Sequence, residues 1–219
     1  MPYTRTGTRN PPARGNPGGL EETILSEKGL PGDEILETVS RLLNRARFGD
    51  AQHAAEDALR HMPDSADCHY ALGLVLTQLD RTAEADGAFT RAAKLQPDEY
   101  FLPYRMKRAE FERLVEVALA SLPWEFKRHL ENVEVAVEDV PQRDLLREGE
   151  IEHDTLGLYQ GDTIQDTAWG FPDRILLFRR NLENISRDRE TLVKEIRATV
   201  LHEVGHHLGM DEDHLEQLE

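Results

Sequence analysis

The chain has 219 residues, 39% of them hydrophobic, and carries a formal net charge of −16 with a pI near 5.0. So acidic a balance argues against nucleic acid and anionic membrane surfaces as partners. The single cysteine, Cys68, excludes an intrachain disulfide, and no stretch approaches the ~18 apolar residues of a membrane span, so the chain reads as soluble and cytoplasmic.

Residues 1–19, with Pro11-Pro12, Gly15, Pro17 and Gly18-Gly19, lack apolar periodicity and are expected to form a disordered tail. Leu20 opens a short apolar segment that leads to Pro31-Gly32-Asp33, where Asp33 is the expected N-cap of a first helix. Residues 20–98 form a first, helical region, and from residue 34 onwards it repeats. Leu72, Gly73, Leu76, Ala85, Phe89, Ala92 and Pro97 occupy the spacings of the tetratricopeptide pattern, which this stretch resembles. One period of 34 residues earlier, Leu42, Ala51, Ala58 and Pro63 fall on Leu76, Ala85, Ala92 and Pro97. The first unit departs from the pattern, with Val39 where glycine is usual and Ala55 where a large apolar residue is usual. Fewer than three such units rarely stand alone. The block is therefore expected to be either a platform for the rest of the chain or a docking surface for a peptide or protein partner. His53, His61 and His69 read as surface or packing residues, and Cys68 as a small buried hydrophobe.

Residues 99–219 make the second region. Up to about residue 130 it is expected to be helical, with Phe111, Leu114, Val115, Val117 and Ala118 on one broad apolar face and Pro123 starting a new turn. The period then changes to two: Val133, Val135 and Val137 alternate with Glu134, Ala136 and Glu138, a half-buried strand ended by Pro141. Gln142 to Asp154 is mostly polar and is expected to be mobile, with His153 solvated. Leu156 to Gly161 reads as a short strand closed by Gly161-Asp162, followed by a loop with Trp169, Gly170 and Pro172. Ile175-Leu176-Leu177-Phe178 is the most apolar strand and should be central. Asn181 to Arg187 is expected to link it to the last helix, with Asp188 as N-cap and Glu190 in the first turn.

That last helix carries the chemistry. Val200-Leu201-His202-Glu203-Val204-Gly205-His206-His207-Leu208-Gly209 contains H-E-x-x-H, with a glycine three residues further on. Residues four apart on a helix lie nearly above one another, so His202 and His206 can aim both imidazoles at one ion. Glu203 flanks the pair, where a carboxylate can hold a water and take its proton. Leu192, Ile196, Val200, Val204 and Leu208 form an apolar stripe, and His202 and His206 point about 200–240° away from Val200. His207 falls within about 20° of that stripe and reads as a buried histidine behind the ligands. Gly205, inside the helix, implies a close backbone neighbour, and Gly209 stands where a left-handed residue would end the helix. Beyond it, Met210-Asp211-Glu212-Asp213-His214 offers three carboxylates and an imidazole, of which a catalytic zinc needs one.

On these residues a family is recognisable. Residues from about 108 to 219 resemble the small bacterial zincin-like metallopeptidases, the minimal zincins, in four places. These are Leu130 to Asp139, Leu156-Gly157-Leu158-Tyr159-Gln160-Gly161, Pro172-Asp173-Arg174-Ile175, and the run from Val200 to Asp213. The resemblance implies an α+β protein: tetratricopeptide-like helical hairpins followed by a minimal zincin domain, a small mixed sheet packed on an active-site helix. It implies Zn2+ bound by His202 and His206 with Glu203 as base, and it places the third ligand at Glu212. The metzincins carry a His or Asp at that position, ten residues after His202. The extra methylene of Glu212 leaves Asp211, then His214, then Asp213 as competitors. A Met-turn well downstream, as in larger relatives, is hard to place before Glu219, so a reduced form of the site is expected.

The expected activity is zinc-dependent hydrolysis of peptide bonds in a peptide or unfolded protein. The strand Leu156–Gly161 offers an edge for substrate, and Tyr159 is a candidate substrate-binding group at the oxyanion. The rival reading is a binding protein whose helical block recruits a partner while the zinc site is structural or weakly active.

Overall fold

The computed structural model describes residues 32–161 and 173–210. The expected N-terminal tail, the segment 20–31 and the loop with Trp169, Gly170 and Pro172 lie outside the described residues. The fold is α+β. Four helices come first: α1 (Gly32–Leu43), α2 (Phe48–His61), α3 (Ala66–Gln78) and α4 (Thr82–Leu95). α1 begins at Gly32, which puts Asp33 in its first turn rather than at its cap.

The sequence repeat is visible down to single bonds. α2 and α4 start and end one repeat apart, at residues 48 and 61 and at 82 and 95. Ala46 and Asp80 both take left-handed backbone, at φ 53° and 58°. The amides of Arg47 and Arg81 return to the carbonyls of Leu42 and Leu76. Each arginine then pairs with an acid in the first turn of the next helix, Asp50 and Glu84. Packing explains the departures of the first unit. In the second hairpin the Phe89 ring lies over Gly73, where a methyl group would meet ring carbons at 2.7 and 2.8 Å. In the first, the sizes are exchanged: Val39 takes the glycine's place and Ala55 the ring's, and both are fully buried in one cluster. His53 and His61 are exposed and Cys68 is buried, as expected.

An irregular segment leads from α4 to α5 (Arg108–Ser121) and the single turn α6 (Trp124–Lys127). Phe111, Val115 and Ala118 face the core, but Val117 is 52% exposed, so the apolar face of α5 is narrower than the sequence implies. Then come β1 (Glu134–Glu138), α7 (Arg143–Glu148), β2 (Gly157–Gln160), β3 (Arg174–Phe178), α8 (Arg179–Asn184) and α9 (Arg189–His207). The sheet order is β1-β3-β2, with β1 parallel and β2 antiparallel to β3. β3 is central, as its unbroken apolar run predicts.

Alternation along the strands divides the core in two. Leu176 and Phe178 of β3, with Ala136 and Leu158 beside them, join the cluster built from α1, α2 and α3. Ile175 and Leu177, with Val135, Val137 and Tyr159, join Phe111 and Val115 of α5 and the Leu192–Val204 stripe of α9. The helical block is thus one lid of the sheet, and α5 with α9 is the other.

Two segments depart from expectation. Gln142–Asp154 is not a solvated loop: it contains α7, and Leu146, Ile151 and His153 are buried at 1%, 7% and 4% exposure. The His153 amide donates to Asn44 Oδ1 at 2.8 Å, and its carbonyl accepts from Gln78 Nε2 and Asn181 Nδ2, both at 2.9 Å. Burial also pushes the His153 imidazole below its ordinary pKa. The expected linker Asn181–Arg187 begins instead with α8, whose Glu183 is fully buried. Glu183 accepts from the Met106 amide at 3.1 Å, and from Arg105 and Arg180 at 3.2 and 2.9 Å. Arg105 also pairs with Asp86 of α4 at 2.7 Å, so one arginine ties the helical block to α8. Among the described residues no helix is long and apolar enough to cross a membrane.

Candidate metal centre

α9 is fixed at both ends by its own sequence. At the start, Asp188 accepts from the Thr191 amide at 2.8 Å and from its hydroxyl at 2.9 Å, which holds the Asp188 carboxyl below the usual range. At the end, Gly209 turns left-handed at φ 74°. The Gly209 amide bonds the His206 carbonyl and the Met210 amide bonds the Gly205 carbonyl, the paired closure of a Schellman turn. The helix therefore stops at His207, one residue past the second histidine of the motif, with Gly209 turning the chain as the sequence predicts.

Between these caps three faces of α9 do different work. Leu192, Ile196, Val200 and Val204 are buried against the sheet and α5. Thr199, Glu203 and His207, one turn apart, form a buried polar row. His202 and His206 lie beyond that row and are partly exposed. Their Nε2 atoms converge to 3.0 Å, with the rings nearly perpendicular at 82°. Two imidazole nitrogens on one zinc at about 2.0–2.1 Å stand roughly 3.3 Å apart in tetrahedral geometry, so the pair fits one ion with little movement. Neutral imidazoles also suit zinc by ligand type.

Glu203 reaches its position because β2 has no side chain at Gly157. A methyl group there would sit 2.8 Å from both Cγ and Oε1 of Glu203, and 2.7 Å from Thr199 Cγ2. The carboxylate is thus laid against bare strand backbone, 6% exposed, on the residue next to His202. A glycine inside a strand pattern signals such a close approach, so this contact was readable in principle.

His207 behaves as a buried supporting residue. Its Nε2 lies 3.1 Å from the His129 carbonyl and its Nδ1 3.1 Å from the Tyr159 hydroxyl. In the neutral ring Nε2–H donates to that carbonyl and Nδ1 accepts from the tyrosine. Asp173 Oδ2 stands 3.5 Å from the same Nδ1. Tyr159, on β2, is therefore brought to the end of the motif helix, with its hydroxyl turned to His207. Sequence reasoning gave no role in the site to Thr199, Gly157, Asp173 or the His129 carbonyl. Of these only Gly157 carried a local signal.

The structure brings His202, Glu203 and His206 together. Among the described residues no further His, Cys, Asp or Glu completes a set of three potential ligands around them. Glu212, Asp211, His214 and Asp213 lie outside the described residues.

An α+β frame whose mixed sheet positions a paired-histidine helix and a buried glutamate defines the class of a zincin-type domain. Residues 130–219 match the family model described as zincin-like metallopeptidase. The match begins after α5 and α6, so these helices and the helical block lie outside it. No curated protein matches the chain.

Proposed function

We propose that the chain is a zinc-dependent peptidase in which Glu203 is the general base. The observation that carries this reading is the convergence of His202 and His206 to 3.0 Å beside a carboxylate that Gly157 allows to be buried. When bound, zinc supplies a Lewis acid and brings the pKa of a coordinated water towards about 7. His202 and His206 would hold the ion, with Glu212 proposed as third ligand, ahead of Asp211, His214 and Asp213. Glu203 takes the proton of the attacking water and returns it to the leaving amine nitrogen. Its low exposure keeps bulk water from competing for that proton. β2 lies at one side of the described sheet, where an extended peptide can add as a further strand beside Tyr159. Tyr159 is proposed as the substrate-facing group there, positioned through His207.

Glu203→Gln protein that still holds zinc should cleave a peptide library roughly 10²–10⁴-fold more slowly than the parent. An unchanged rate would remove the mechanism. Zinc content, read separately by elemental analysis, should fall sharply in Glu212→Ala and stay near the parent level in Asp213→Ala. Equal retention in both would sink the assignment of Glu212.

A further inference from the structure

A cleft of about 290 Å³ opens between α5, α6 and α9. Ala118, Leu122, Pro123 and Phe126 form one wall, and Leu201 and Arg197 form the other. Leu201 directly precedes His202, so the cleft lies along the helix that carries the metal pair. Trp124, next in the chain to Pro123 of the wall, is 65% exposed. The cleft is too small for a partner helix and large enough for one bulky side chain.

The one charged side chain that lines it is a cation, Arg197. Lys194 stands two turns before Leu201, within about 20° of it on the helix, and Arg197 stands one turn before it. At the end of α6, beyond the residues that line the cleft, Lys127 Nζ donates to the Ala120 carbonyl at 2.7 Å, and the Arg128 guanidinium lies 5.3 Å from the Trp124 ring centroid. Among the described residues none of these four cations is paired with a carboxylate. On a chain with a net charge of −16, the one charged residue in the wall of this apolar hole is thus a cation, Arg197. Such a patch attracts anionic ligands and repels cationic ones.

We propose that this cleft is a specificity subsite for the peptide substrate, taking a large apolar side chain whose neighbours in the peptide are acidic. The proposal rests on the peptidase reading and adds to it the class of substrate. One wall of the subsite, from α5 and α6, lies outside the residues that the family model matches. The apolar anchor fills the space between Leu122, Phe126 and Leu201. The flanking carboxylates meet Arg197 on one side and Lys127 or Arg128 on the other.

The test uses full-length, zinc-loaded Glu203→Gln protein, so that binding is read without turnover. Three labelled peptides of equal length are titrated: one with leucine between glutamates, its lysine counterpart, and the glutamate peptide with glycine for leucine. The acidic leucine peptide should bind about tenfold more tightly than either other, and added salt should erode that preference. Arg197→Glu, a change at an exposed position, should abolish it. Equal binding of the acidic and lysine peptides, or an unchanged preference in Arg197→Glu, overturns the proposal. So does an absence of saturable binding, the result expected if residues 211–219 or a second copy of the chain fill the cleft. Cleavage by the parent protein separates the two readings. If both charged peptides are cut equally fast, the peptidase stands and the subsite falls. Selective binding of the acidic peptide with no cleavage of any peptide supports the cleft and removes the peptidase reading instead.

Discussion

Gly73 in the helical block and Gly157 in the sheet meet the same physical need in different company. Each leaves a space that a larger neighbour occupies: the Phe89 ring in one case, the Glu203 carboxylate in the other. In the helical block the contact is apolar volume, and the first hairpin meets the same need with Val39 over Ala55. Size can be moved from one helix to the other because only the sum has to be right. At Gly157 the occupant is a charged group whose position matters, and no exchange of sizes would leave it in place. The distribution of buried polar groups follows the same division. Among the described residues, every buried His, Arg, Lys, Asp or Glu side chain follows residue 150: His153, Arg179, Glu183, Glu203 and His207. The first region is held by volume, and the second also by placed charge.

The strongest expected effect lies at the seam between them. Glu183→Ala would take from Arg180 its nearest carboxylate, leave Arg105 with Asp86 alone, and strip the Met106 amide of its acceptor. Removing one member of a buried ion network costs about 3–5 kcal/mol. Urea denaturation should show that loss as a lower midpoint. A midpoint equal to the parent's would mean that the shared apolar core alone joins the two regions.

Next comes the pair of glycines. Gly73→Ala and Gly157→Ala each force a methyl group into occupied space, at about 1–3 kcal/mol of stability each. Their effects on hydrolysis should differ. Gly73→Ala shifts Phe89, far along the chain from the motif, and should leave the rate of the folded protein unchanged. Gly157→Ala displaces the Glu203 carboxylate and should lower that rate at least about tenfold, since catalysis by a positioned base depends on geometry. Equal rates for the two folded variants would show that Gly157 serves packing only.

Legibility from sequence follows the same line. The block's helices could be read because residues 34 apart repeat, and a repeat reports local packing twice over. α9 was legible from Asp188, the apolar stripe and Gly209, all local signals. β3 was legible from its continuous apolar run. What escaped was set by contact between regions. α7 is six residues long, too short to show a period, and Leu146 is buried because the helical block covers it. Asn181 and Glu183 look like loop residues until Arg105 and the His153 carbonyl are placed beside them. His153 itself sits in a polar stretch, and only Asn44, Gln78 and Asn181 draw its backbone inside. Thr199 had no signal at all.

Thr199 carries the smallest effect. It is 4% exposed, one turn before Glu203, with its methyl group against Gly157. Its Oγ1 is buried and has no hydrogen-bond partner among the described residues. A buried hydroxyl left without a partner costs about 1–3 kcal/mol, while valine keeps the shape and removes the polar atom. Thr199→Val should therefore raise stability by about 1 kcal/mol, seen as a higher denaturation midpoint, without altering hydrolysis. The opposite pattern has a definite meaning. If the valine variant folds no better and turns over more slowly, and Thr199→Ser restores the rate, the hydroxyl must bind an ordered water beside the base. Thr199 would then be a positioning residue for Glu203, and the polar row of α9 would act in catalysis along its whole length.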